Sequence, residues 1–100
     1  MSSTETPVVA MSAIEIRSLE QLLAVARNDT GQSERVADFL LSWWNAVECG
    51  GWDPTALWSL DQELADAILV VLGYIHRARR YPDSLGFGPE FEALHRRWRA

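Results

Sequence analysis

The stretch DQELADAILVVLGYIHRARR, Asp61 to Arg80, constrains this chain most. Its middle, Ala67 to Ile75, is nine residues without a charge and with one glycine. A surface helix alternates an apolar stripe with a polar face. This one reads as apolar nearly all round, which predicts a central helix with neighbours on most sides. Asp61, Glu63 and Asp66 lie near its start, and Arg77, Arg79 and Arg80 lie at its end. Both groups suit the helix macrodipole.

The flanking segments supply the neighbours. Ser12 with Glu15, and Ser18 with Gln21, both have capping-box spacing. The favoured first helix runs from about Ser18 to Asn28, with Leu19, Leu22, Leu23 and Ala26 on one face. Gly31 breaks that pattern. A second helix, about Gln32 to Cys49, carries Val36, Phe39, Leu40, Trp43, Trp44 and Val47 as one apolar stripe. Gly50 and Gly51 end it, one of them as the left-handed residue after the helix. Asp53-Pro54 reads as the cap and first residue of a short helical turn, and Ser59 or Asp61 caps the central helix. Pro82 stops that helix, Tyr81 to Gly88 is a loop, and a last helix spans 89 to about 98. Short connections make successive helices pack as neighbours. The reading is all-α: a small single-domain bundle of about four helices and a short helical turn over residues 13–100. A disordered tail, residues 1–12, precedes it.

The composition narrows function by exclusion. A single Cys rules out an intramolecular disulfide. With no secretion-type leader, that favours a cytoplasmic protein. No apolar run approaches the roughly 20 residues of a membrane span. Net charge is −5, split as −8 over residues 1–75 and +3 over residues 76–100. The acidic bulk argues against general nucleic-acid binding, in which phosphate contacts dominate affinity. Cys49, His76 and His95 match no metal-ligand spacing, and Gly50-Gly51 lacks the Lys-Ser/Thr of a phosphate loop. The expectation is a non-enzyme without cofactor or metal.

Two surfaces remain as candidates. The first is a tryptophan-rich joint. Trp43, Trp44 and Trp58 read as core, whereas Trp52 follows two glycines and reads as a partly exposed interface anchor. Trp52, Asp53, Glu48 and Asn45 form the candidate partner-binding set. In the plain alternative, Asp53 and Asp61 are caps and Asn45 and Glu48 face solvent. The second surface is the basic end. Arg77, Arg80, Arg96 and Arg97 form one patch for phosphate or an acidic partner if the last helix folds back along the central one. A second copy of the chain is one such acidic partner.

The runs FLLSWWNAVECGGWDPTALWSLD and YPDSLGFGPEFEALHRRWR carry a resemblance. Their cores are Trp43-Trp44-Asn45-Ala46, Glu48 to Asp53, Leu57-Trp58, and Tyr81 to Gly86. Over roughly residues 18 to 99 the chain resembles a family of small bacterial proteins of unknown function, encoded on plasmids and integrative conjugative elements. The resemblance implies an accessory protein of a mobile element and no particular activity. The expected function is therefore non-enzymatic and works through protein–protein contact, an inhibitor of a host system being one form. The alternatives are a nucleic-acid accessory factor using the Arg-rich end, and a small enzyme built on Cys49 or the acidic joint.

Overall fold

The first helix begins where two side chains satisfy each other's backbone. Ser12 Oγ accepts the Glu15 N–H at 3.3 Å, and Glu15 Oε1 accepts the Ser12 N–H at 2.9 Å. This capping box starts α1 at Ala13, so α1 is Ala13–Ala26 and not Ser18 to Asn28. Ser18 lies buried inside it. The Ser12 box wins because Glu15 gains a further partner from a distant helix. Thr30 Oγ1 accepts the Ser33 N–H at 3.0 Å and starts α2, Gly31–Cys49. Asp53 accepts from Thr55 and opens a 3-10 segment, Pro54–Ser59. Helix α3 is Gln62–Ala78, a 3-10 turn follows at Pro82–Leu85, and α4 is Gly88–Trp98. The computed structural model describes residues 10–99, and within them there is no strand. Most of the expected disordered tail, residues 1–9, lies outside the described residues.

The hub is α1, not the apolar helix of the sequence reading. Leu19, Leu22, Leu23 and Ala26 are buried on α1, which packs against both α2 and α3. Helix α3 packs chiefly on α1. It buries Leu64, Ala67, Ile68, Val71, Tyr74 and Ala78, one stripe at helical spacing. Its other side is open: Leu69 is 54% exposed. The uncharged run was therefore a one-sided helix whose outer face is also apolar. Helix α4 lies along α2, with Phe91 edge-on to Trp43 at 5.8 Å. Trp98 Nε1 donates to the Ala26 carbonyl at 2.8 Å and ties α4 to the end of α1.

Helix α2 carries one interruption. Asn45 has φ −162° and ψ 80°, outside the helical region. Its Oδ1 accepts the Glu48 N–H at 3.3 Å, so Asn45 caps a separate final turn. That turn leaves the axis of α2 at a kink. Arg99 holds it there, bonding both the Cys49 carbonyl and the Asp38 carboxylate. The expected stripe breaks at the same place, and Val47 is 96% exposed. Gly50 then takes φ 95° and ψ 165°, a positive φ that favours glycine, though not the left-handed helical region expected. The chain runs back past Phe39, on which the Trp52 ring packs edge-on at 5.0 Å, to Asp61. There Gln32 both accepts the Asp61 N–H and donates to its carboxylate. Asp61 makes no side-chain cap bond to α3. It ties the starts of α2 and α3 together instead.

Candidate functional site: a tryptophan and arginine cleft

The bend at Asn45 and the end of α3 build one cleft between them. Its volume is about 610 Å³. One wall is Ser42 to Val47 and the other is Arg79 to Ser84 without Pro82. Two hydrogen bonds join the walls. Trp43 Nε1 donates to the Arg80 carbonyl at 2.9 Å, and Trp44 Nε1 donates to Asp83 Oδ1 at 2.8 Å. Trp43 is the buried back of the cleft, and Trp44 is half-buried with its ring 5.8 Å from that of His95. Val47 and Tyr81, the latter 66% exposed, extend the apolar surface outward.

The charge in the cleft comes from the end of α3. Arg79 closes that helix by donating its N–H to the Ile75 carbonyl at 3.0 Å. It does so at φ 58° and ψ 50°, the left-handed conformation normally left to glycine or asparagine. Among the described residues it is the sole non-glycine residue with positive φ. Arg80 follows, and both are exposed. Among the described residues neither guanidinium makes a hydrogen bond or ion pair. Asp83, the one acid of the lining among the described residues, is held by Trp44. The two serine hydroxyls of the lining are engaged: Ser42 Oγ donates to the Phe39 carbonyl and Ser84 Oγ to the Tyr81 carbonyl. No His and no Cys among the described residues lines the cleft. Two unengaged guanidiniums beside aromatic rings suit a carboxylate or phosphate borne by an apolar group.

The residues singled out from sequence are dispersed. Of the joint set, Asn45 lines the cleft, whereas Trp52, Asp53 and Glu48 do not. Trp52 is half-buried on Phe39, and no acceptor among the described residues meets its buried indole N–H. Asp53 binds the Thr55 N–H and hydroxyl, which hold its carboxyl below the usual carboxylate range. Glu48 is exposed. Trp58, read as core, is 85% exposed. The short 3-10 segment turns it outward and seats Leu57 and Leu60 against the core instead.

The four arginines do not form one patch. Arg77 binds Glu15 at the start of α1, at 2.7 Å and 3.0 Å, whereas Arg97 binds the Asn28 carbonyl beyond its end. Those sites are about 20 Å apart along a helix of this length. Arg80 alone of the four enters the cleft, and Arg96 is exposed on α4. The contact with Arg77 holds the Glu15 carboxyl at about 2, against 4.5 ordinarily. Cys49 is buried, and burial pushes its thiol up despite nearby Arg99. That keeps it protonated, the opposite of an activated nucleophile. No three His, Cys, Asp or Glu side chains among the described residues could hold a metal. No helix in that range is long and apolar enough to cross a membrane.

A family model described as a family of unknown function, DUF7673, matches residues 16–99. The chain belongs to that family. No curated protein and no solved structure matches it significantly. The span matched to DUF7673 contains both walls of the cleft. Sequence reading had separated those walls, one as a tryptophan joint and one as the basic end of the central helix with the loop after it. Asp83 and Val47 were missed as site residues. The available signal was the pairing of the two runs that carry the resemblance, WWNA and YPDS, which here face each other.

Proposed function

We propose that this chain is a non-enzymatic accessory protein of a mobile genetic element, and that it acts by docking an acidic, apolar-tipped segment of a protein partner in the Trp44–Arg80 cleft. One observation carries this reading. Arg79 and Arg80 are exposed and unengaged among the described residues beside an apolar cleft, while nothing in the lining is arranged as a nucleophile with a base. An acidic side chain would pair with the guanidiniums, and an apolar neighbour would fill the space between Trp44, Val47 and Tyr81. Inhibition of a host system is one use of such a cleft. The mobile-element setting rests on the resemblance of the two sequence runs.

Two guanidiniums at one cleft are few for a phosphate backbone, and the bulk of the chain is acidic. Protein is therefore the favoured partner class. The test is a tryptophan-fluorescence titration with three probes: a short peptide of Asp and Glu around one Trp, the same peptide with Lys for the acids, and single-stranded DNA. The acidic peptide alone is expected to saturate. Its affinity should fall about fivefold or more when Arg79 and Arg80 are both replaced by Ala. DNA binding that collapses with salt would overturn the reading in favour of a nucleic-acid factor. No response to any probe would also overturn it.

A further inference from the structure

The chain carries a segment with the chemistry this cleft accepts. Trp58 stands 85% exposed on the 3-10 segment. Around it, Trp52 to Glu63 holds three acids, Asp53, Asp61 and Glu63, and no basic residue. All three acids are exposed. The cleft offers the complement: two exposed arginines, the half-buried Trp44 ring and the exposed Tyr81 ring. A large aromatic side chain in water is costly to leave open, and such side chains are the usual anchors of interfaces. Arginine on the face of an indole adds a cation–π contact.

Trp58 does not line its own chain's cleft. It precedes α3 by four residues, and the cleft sits past the end of that helix. A helix of 17 residues spans about 25 Å. Anchor and socket thus lie toward opposite ends of one element, and the socket within reach of Trp58 belongs to another molecule. We infer that the occupant of the cleft is a second copy of this chain, which seats its Trp58 between Trp44 and Tyr81 and sets its acidic segment against Arg79 and Arg80. This deepens the reading of the cleft proposed above and rests on it. Two copies can exchange Trp58 reciprocally about a two-fold axis, or successive copies can add head to tail.

The experiment is sedimentation equilibrium of the full chain from about 10 μM to 1 mM, the range expected for a small cleft contact. The wild type is expected to gain mass with concentration. Trp58→Ala and the double variant Arg79→Glu with Arg80→Glu are each expected to stay monomeric, with unchanged helical circular dichroism. Their equimolar mixture is the decisive sample. It keeps one intact Trp58 and one intact cleft per pair, and it should form a one-to-one complex that neither variant forms alone. A wild type that is monomeric throughout overturns the inference. So does association that survives Trp58→Ala, or a mixture that behaves as the sum of its parts. If the acidic Trp peptide still binds while the wild type stays monomeric, the cleft reading stands and the self-docking fails. If the peptide also fails to bind, both fall.

Discussion

Arg77 and the pair Arg79–Arg80 are three arginines within four residues at one helix end, yet they serve opposite ends. Arg77 is committed inward. It makes two hydrogen bonds to Glu15, lies over the Tyr74 ring and fastens α3 to the start of α1. Arg79 and Arg80 are turned out past the end of the helix, into a cleft. Helix geometry makes the difference. Arg77 is still on the helical lattice and shares a side with Tyr74, which faces α1. At Arg79 the backbone turns left-handed, and the next side chains leave that face. The same charge is structural on one side of that turn and available on the other. Each region should therefore fail in its own way when altered.

The largest effect is expected where the two regions share a support. Trp43 is buried, packs edge-on to Phe91 and holds the Arg80 carbonyl. Trp43→Ala removes the back of the cleft and a piece of the α2–α4 core together. Losses of about 3–5 kcal/mol are typical for such truncations. Urea unfolding should show this as a lower midpoint at nearly unchanged slope, and peptide binding should be lost with it. A variant that kept binding would break the claim that Trp43 positions Arg80.

Glu15→Gln separates the regions. Gln keeps the capping-box geometry with Ser12 but removes the charge that faces Arg77. The folded carboxyl sits at about 2 and its ordinary value is 4.5. A depressed carboxyl stabilises the fold fully above about pH 4.5, and that contribution drains as pH falls toward about 2. Glu15 is buried, but the Arg77 side chain is 39% exposed, and solvent weakens the pair. With that discount the loss at pH 7 is on the order of 2 kcal/mol. Thermal unfolding should show the variant melting lower at pH 7, with the two proteins converging near pH 2. Binding in the cleft should be unaffected at pH 7. A constant gap across that range would mean that the charge of Glu15 is not what stabilises.

Much of this was legible in the sequence, for identifiable reasons. Helix content followed from periodicity and caps: Asp53-Pro54, the stripe of Phe39, Leu40 and Trp43, and the breaks at Gly50 and Pro82. What escaped depended on contacts between distant residues. Ser12 and Ser18 share the same spacing and Ser18 was favoured, until Arg77, 62 residues from Glu15, decided for Ser12. The apolar run at Ala67 to Ile75 gave no sign that α1 would cover only one side of it. The exposure of Val47 and the formation of the cleft both follow from the bend at Asn45, which a periodic stripe continuing to Val47 concealed. Trp58, expected in the core, is exposed because the 3-10 segment seats Leu57 and Leu60 inward and leaves Trp58 out.

The smallest of these effects carries the opposite sign and tests the comparison most sharply. Arg79 holds φ 58°, a conformation that costs an L-residue about 1–2 kcal/mol and costs glycine little. Its guanidinium makes no hydrogen bond or ion pair among the described residues that would offset this. Arg79→Gly should therefore raise stability, by up to about 1 kcal/mol once the greater freedom of glycine in the unfolded chain is set against it. The same change removes one of the two charges of the cleft. Stability and binding should move in opposite directions, a higher melting temperature together with weaker uptake of the acidic peptide. A site retained only for the fold would gain from glycine and lose nothing. If Arg79→Gly melts higher and binds the peptide as tightly as before, Arg80 alone supplies the charge, and the left-handed arginine has no part in the cleft.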